Sequence, residues 1–286
     1  MLEYGLPVLF TLFIWWFSTG FILYLDGLPK KTFRYSLLGA TLVLLAALYG
    51  LAHSAHDTSI FAAYLAFSCG LLVWGFIEIT FLMGVITGPR RTPCPAQCSQ
   101  WQRFWYAIQA ILYHELAIIA CAVLIAWMTW GGANQVGLWT FLVLWIMRQS
   151  TKLNLFLGVR NLGEAMLPAH LQYLKSFFVR KPMNFLFPVS VTLSTIVATL
   201  MLQTIWLAEA GSFEAVALTL VATLVVLAIL EHWFLVLPIP FEALWSWGLR
   251  SHEESAIHEE ATDELKKDPG SQGDALRCRS TVKQGA

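Results

Sequence analysis

The sequence predicts an all-α, polytopic membrane protein with about seven transmembrane helices, the N-terminus outside and the C-terminus cytoplasmic. Three observations predict it. Apolar runs are far longer than a soluble core helix needs, Lys and Arg keep to alternate connections, and Trp and Tyr gather where the runs end. Of 286 residues, 57% are hydrophobic and 13% charged, with a mean hydropathy of +0.63. This balance belongs to a bilayer protein and sets soluble-enzyme chemistry aside. The 18 acidic and 18 basic residues cancel, so net charge implies no nucleic-acid partner. The placement of charge is what carries information.

A spanning helix needs about 20 mainly apolar residues. Runs that meet or nearly meet that length are Tyr4–Tyr24, Ser36–Leu51, Ile60–Thr87, Ala107–Trp130, Val136–Gly158, Phe185–Leu207 and Ala215–Leu237. The first follows Glu3 with no basic segment, so it reads as a retained span rather than a cleaved signal. The second is short, and the third is long enough to tilt or to project from the lipid. Lys30, Lys31, Arg34, Arg90, Arg91, Arg103, Arg160, Lys175, Arg180, Lys181 and Arg250 occupy alternate connections; HSAHDTS, GGANQ and EAGSFE hold no Lys or Arg. Basic connections stay cytoplasmic, which fixes the orientation. Trp101, Trp105, Tyr106, Trp127, Trp130, Trp245 and Trp247 read as interfacial anchors. Residues 1–250 form the transmembrane domain, and 251–286 form a charged, aromatic-poor tail expected to be disordered in the cytoplasm.

The five cysteines are odd in number and scattered, so they suggest no disulfide framework, and the Cys94/Cys98 spacing is a weak metal or redox signal. His53, His56 and Asp57 form an outer-loop cluster read as solvated rather than metal-binding. No phosphate-binding glycine loop, nucleophile elbow or haem-attachment sequence occurs.

An ionised side chain at the centre of a span costs roughly 2.5–3.5 kcal/mol, so each one needs a partner or a purpose. Glu78, His114, Glu115, Arg148, Lys152, Asn154, Glu231 and His232 all fall, by residue counting, in the cytoplasmic half of the bilayer. They form one intramembrane polar layer, either an interhelical network that fixes packing or a ligand site. Glu78, His114, Glu115, Glu231 and His232 are the metal candidates within it, with His114 or His232 as a tetrapyrrole's axial ligand. Against a metal, adjacent His and Glu point about 100° apart on a helix. The segment after the fifth run supplies Arg160, Asn161, Glu164, His170, Lys175, Arg180 and Lys181 as a cytoplasmic docking surface. Within it, Leu167, Leu171, Leu174 and Phe178 predict a short interfacial helix resting on lipid, with His170 at the surface.

GFIEITFLMGVITGPRR, YHELAI, GVRNLGEAMLPAHLQYLKSFFVRKPMNFLFPVS and EHWFLVLPIPFEALWSWGL resemble the photosynthetic complex assembly protein family (PuhE) of purple photosynthetic bacteria, over roughly residues 1–250. The resemblance implies a membrane protein acting in reaction-centre or antenna assembly or in bacteriochlorophyll supply. Bacteriochlorophyll or a precursor is then a candidate ligand, and reaction-centre or antenna subunits or pigment-synthesis enzymes are candidate partners. The resemblance carries no catalytic residues. An assembly factor is the leading reading; the alternative is a membrane enzyme using the carboxylate/histidine layer as a metal site on a tetrapyrrole-like substrate.

Overall fold

A computed structural model describes residues 2–252; of the tail expected from 251, Ser251 and His252 are instead helical and packed on the first helix through hydrogen bonds to Leu23 and Asp26, and 253–286 lie outside the described residues. Seven long helices follow one another among these: α1 (Leu2–Asp26), α2 (Phe33–Ser54), α3 (Ile60–Leu82), α4 (Gln100–Met128), α5 (Val136–Leu157), α6 (Leu186–Leu207) and α7 (Phe213–Phe234). Six of them, all except α5, are long and apolar enough to cross a membrane. α5 has the length but carries Arg148, Gln149, Lys152 and Asn154 in its second half.

Local chemistry explains the boundaries. Ser59, Ser99 and Ser212 cap α3, α4 and α7 by accepting the backbone N–H three residues on. Gln102 closes a reciprocal capping box at α4. α3 ends at Leu82, five residues before the end expected at Thr87, because Gly84 takes a left-handed φ of +74°. The chain then turns back along α4. The Thr87 carbonyl accepts from the His114 N–H at 2.9 Å, and Gly88 lies so close to the Gln109–Ala110 backbone that no Cβ fits there.

α3 and α7 are the inner helices, buried over much of their lengths, while α6 and most of α1 and α2 face outward. α3 packs on α2, α5, α7 and α1; α7 packs on α6, α1 and α5. Gly70 of α3 meets the Gly137 backbone of α5 directly, where a Cβ would collide with it; small residues permit such close crossings in membranes. The lysine- and arginine-free connections share one end, where Asn134 donates to the carbonyls of Asp57 at 3.2 Å and Ala62 at 3.1 Å.

At the opposite end the structure corrects three expectations. The segment Ala169–Phe177 is a 3₁₀ helix, and Leu171, Leu174 and Phe177 are buried against Phe81, Leu82 and Ala110 rather than on lipid. Its apolar side meets α3 and α4 because the turn-back after Leu82 leaves their ends open to it. Trp245 is likewise no interfacial anchor: it is buried, donates Nε1 to the Trp16 carbonyl at 3.0 Å, and packs edge-on against Trp15. Cys94 and Cys98, for which the sequence suggested no disulfide framework, form a disulfide; the Cys98 N–H donates to the Pro95 carbonyl at 3.2 Å, turning the chain between them.

Residues 241–252 run back along α1, with Gly248 against the Gly20 backbone. At the end of this clasp His252 Nε2 lies 2.6 Å from the buried Asp26 carboxylate. Burial alone lowers the His252 pKa, but the hydrogen bond to Asp26 and its charge outweigh burial and hold it above the ordinary 6.5. While Asp26 is ionised, the stabilisation that His252 contributes is lost as pH rises through that raised value.

Two measurements test this packing. Gly70→Val should lower stability in detergent by about 1–3 kcal/mol through overpacking of α3 on α5, seen as an earlier thermal unfolding transition. Comparing thermal midpoints of the wild type and His252→Gln across pH should give the largest difference at pH 6 and a difference that closes at alkaline pH.

Candidate functional site

The charged residues read from the sequence as a polar layer stand in the structure as separate pairs. α3 presents Glu78, buried, to Arg148 of α5, with Nη2 donating to Oε2 at 2.6 Å. One turn further along α5, Lys152 Nζ meets Glu115 Oε1 of α4 at 2.6 Å, and Gln149 donates to Glu115 Oε2 at 2.5 Å. His114, one residue before Glu115, turns to α3 instead. Its Nε2 stops 4.0 Å from Glu78 Oε1, beyond hydrogen-bond reach, and its ring packs on Phe81 at 4.4 Å.

Glu231 of α7 accepts from Trp15 Nε1 of α1 at 2.7 Å. His232, its neighbour, faces away toward α5 and α6. The Ala228 carbonyl, 2.8 Å from Nδ1, can only accept, so Nδ1 carries a proton, and Nε2 is hydrogen-bonded with Ser150 Oγ at 2.8 Å. Ser150 and Ser190 share a further hydrogen bond. Asn154 is fully buried; Asn184 donates to its side chain and to the Gly158 carbonyl while capping α6 through Leu186 and Phe187.

Among the described residues no three of His, Cys, Asp and Glu gather as metal ligands. This holds for the five candidates of the layer and for His53, His56 and Asp57. The cause is helical rotation. His114 and Glu115, and likewise Glu231 and His232, diverge to different neighbours.

Where the layer faces inward it borders a cavity of about 380 Å³, within the range of small-molecule sites. Leu71, Trp74, Leu144, Leu155 and Phe156 make much of it apolar; Glu78, Arg148, Lys152 and Glu231 make one wall polar; and Leu162, Gly163, Met166 and Leu167 close its loop end. Neither His114 nor His232 lines it. The two histidines read from the sequence as candidate axial ligands therefore do not face this cavity.

The docking segment divides into a structural part and a free part. Asn161 donates to the carbonyls of Phe234 at 2.7 Å and Leu237 at 2.5 Å, tying the segment to the end of α7. Glu164 holds Arg180 at 3.0 Å and Lys175 at 3.8 Å. His170 is half-buried, with Nε2 2.7 Å from the Leu82 carbonyl. Burial lowers its pKa despite that bond. Arg160 and Lys181 are exposed and have no ion pair among the described residues.

Sequence reasoning missed Trp15, Gln149, Ser150, Ser190 and Asn184. Trp15 was hidden in an aromatic-rich run. The serines are small enough to pass as packing residues.

The model of a family described as a protein of unknown function, DUF3623, matches residues 1–256. The chain is 41% identical, over 88% of its own length and 93% of the relative's, to a Rhodobacter capsulatus protein described as an uncharacterized 30.4 kDa protein in the puhA 5′ region. No solved structure matches.

Removing one partner of the Glu78–Arg148 pair should cost about 3–5 kcal/mol, because an uncompensated charge stays buried. Arg148→Met should therefore lower the unfolding temperature sharply. The double variant Glu78→Gln/Arg148→Met should regain most of that loss, and a thermal double-mutant cycle in detergent measures both.

Proposed function

We propose that this chain, which belongs to the DUF3623 family, assists the assembly of photosynthetic reaction-centre or antenna complexes, or the supply of bacteriochlorophyll to them. It does so by binding pigment or partner proteins rather than by catalysis. The observation that carries this reading is the largely apolar cavity inside a helical bundle, closed at its loop end by the segment that exposes Arg160 and Lys181. A hydrophobic ligand inside and a partner outside would then meet on one segment. The charged groups of the polar layer are held by protein partners, an arrangement suited to holding a molecule. The position of the relative's gene beside puhA and the resemblance noted in the sequence support the photosynthetic setting.

In this reading α5 is a seventh span. Its cations cross the hydrocarbon because Glu78 and Glu115 compensate them. The N-terminus then lies outside, and the loop ends rich in Lys and Arg are cytoplasmic, which supports an inner-membrane location. Arg160 and Lys181 face an acidic partner or anionic headgroups, each cation contributing on the order of 1 kcal/mol near such a surface.

Deletion of the gene in its phototrophic host should lower reaction-centre or antenna levels, or change pigment accumulation. Normal levels of all three would sink the proposal. Complementation with Arg160→Glu/Lys181→Glu should restore the protein to the membrane without restoring those levels. Alkaline phosphatase fused at Gly132 should be active, and inactive when fused at Lys181; the reverse pattern would overturn the orientation.

A further inference from the structure

Arg148 carries more hydrogen-bonding capacity than its ion pair uses. A guanidinium has five N–H donors, and among the described residues only Nη2 is committed, to Glu78. The side chain is 41% accessible although it sits within the bundle, and the cavity is the space it borders. Donors left open in a largely apolar enclosure call for an acceptor. Among the described residues Trp74 Nε1 and the Lys152 N–H groups not used by Glu115 are further open donors on the wall, and its remaining polar atoms are donors already satisfied or acceptors. Ser18, Thr19 and Thr151 donate back to their own helices, Glu78 Oε1 is buried without a hydrogen-bond partner, and Glu231 is held by Trp15.

Charge narrows the class of ligand. Glu78, Glu115 and Glu231 oppose Arg148 and Lys152, so the fully ionised layer is already one negative charge in excess. A carboxylate ligand would add a second and meet Glu231 across the same wall. A neutral acceptor adds none. We propose that the cavity binds a neutral, apolar molecule bearing a carbonyl group, with that carbonyl accepting hydrogen bonds from Arg148 and its apolar body among Leu71, Trp74, Leu144 and Phe156. A prenyl-chain quinone and an esterified or keto-substituted macrocycle share this chemistry. The inference rests on the reading that the protein holds a hydrophobic ligand, and it names the group that is recognised.

Trp15, Trp74 and Trp245 line the cavity, so their emission reports occupancy. The detergent-purified full-length protein is titrated with decylubiquinone and, separately, with protoporphyrin IX dimethyl ester, each in competition with palmitate. Saturable quenching by either neutral probe, resistant to palmitate, is the expected result, and the probe that quenches identifies the source of the carbonyl. Arg148→Lys keeps the charge beside Glu78 but loses the planar fork, and should weaken binding at least about tenfold. Gly75→Leu fills the cavity without touching the charges. A Cβ at Gly75 meets only Ile22 Cδ1, at 3.7 Å, an ordinary van der Waals contact, so Gly75→Leu, with its thermal midpoint matched to the wild type as the control for folding, should abolish quenching. No saturable quenching by either probe, quenching unchanged in Gly75→Leu, or displacement by equimolar palmitate would overturn the proposal. A deletion strain that lacks photosynthetic complexes, beside a protein that binds neither probe, would leave the assembly role standing and remove only this ligand.

Discussion

The ion pair between Glu78 and Arg148 is the interaction on which the rest of the bundle depends. An acid on α3 and a base on α5 are each costly in hydrocarbon, and joined at 2.6 Å they neutralise one another. α3 is the helix around which α1, α2, α5 and α7 assemble, so fixing α5 to it fixes the frame. Lys152 then ties α5 to α4 through Glu115, and Glu231 ties α7 to α1 through Trp15. The second half of α5 is too polar to resemble a span by composition. Neighbouring helices bring its partners.

Much of the fold was legible because its driving pattern is one-dimensional. All seven apolar runs correspond to helices, and most boundaries fall within a few residues of the expected ones. The misses share a cause: they depend on what a segment meets, which sequence spacing does not encode. Leu171 and Leu174 are as apolar as lipid-facing residues; only the turn-back after Gly84 shows that protein, not lipid, covers them. Trp245 has the composition of an interfacial anchor, and it is the path of residues 241–252 beside α1 that buries it.

The same distinction runs through the site. Counting residues from the basic loops put Glu78, His114, Arg148 and Glu231 at one depth, because depth is set by rise along a helix. It could not tell that His114 and His232 miss the cavity, since one step along a helix turns a side chain by about 100° and a small offset decides which neighbour it faces. Partners 216 residues apart, such as Trp15 and Glu231, leave no local trace. A charge in a span announces that something compensates it without saying what.

Stability alone does not account for this layer. Well-packed apolar residues in place of a buried ion pair are commonly neutral or stabilising by about 1–4 kcal/mol, and in a bilayer the surrounding hydrocarbon favours them further. A pair serving only to pin two helices would also have no use for a guanidinium with donors turned into empty space. The arrangement makes sense if the pair's task is to keep a cation available at a depth where none would otherwise persist: Glu78 holds Arg148 in place, and Arg148 lines the cavity with donors that Glu78 does not use. The segment that lines the loop end of that cavity, Leu162 to Leu167, lies between exposed Arg160 and exposed Lys181, and its own Glu164 holds Arg180. Polar wall, apolar chamber and cationic exterior thus meet over one short stretch of chain, where a bound molecule and a docked partner would bear on the same residues.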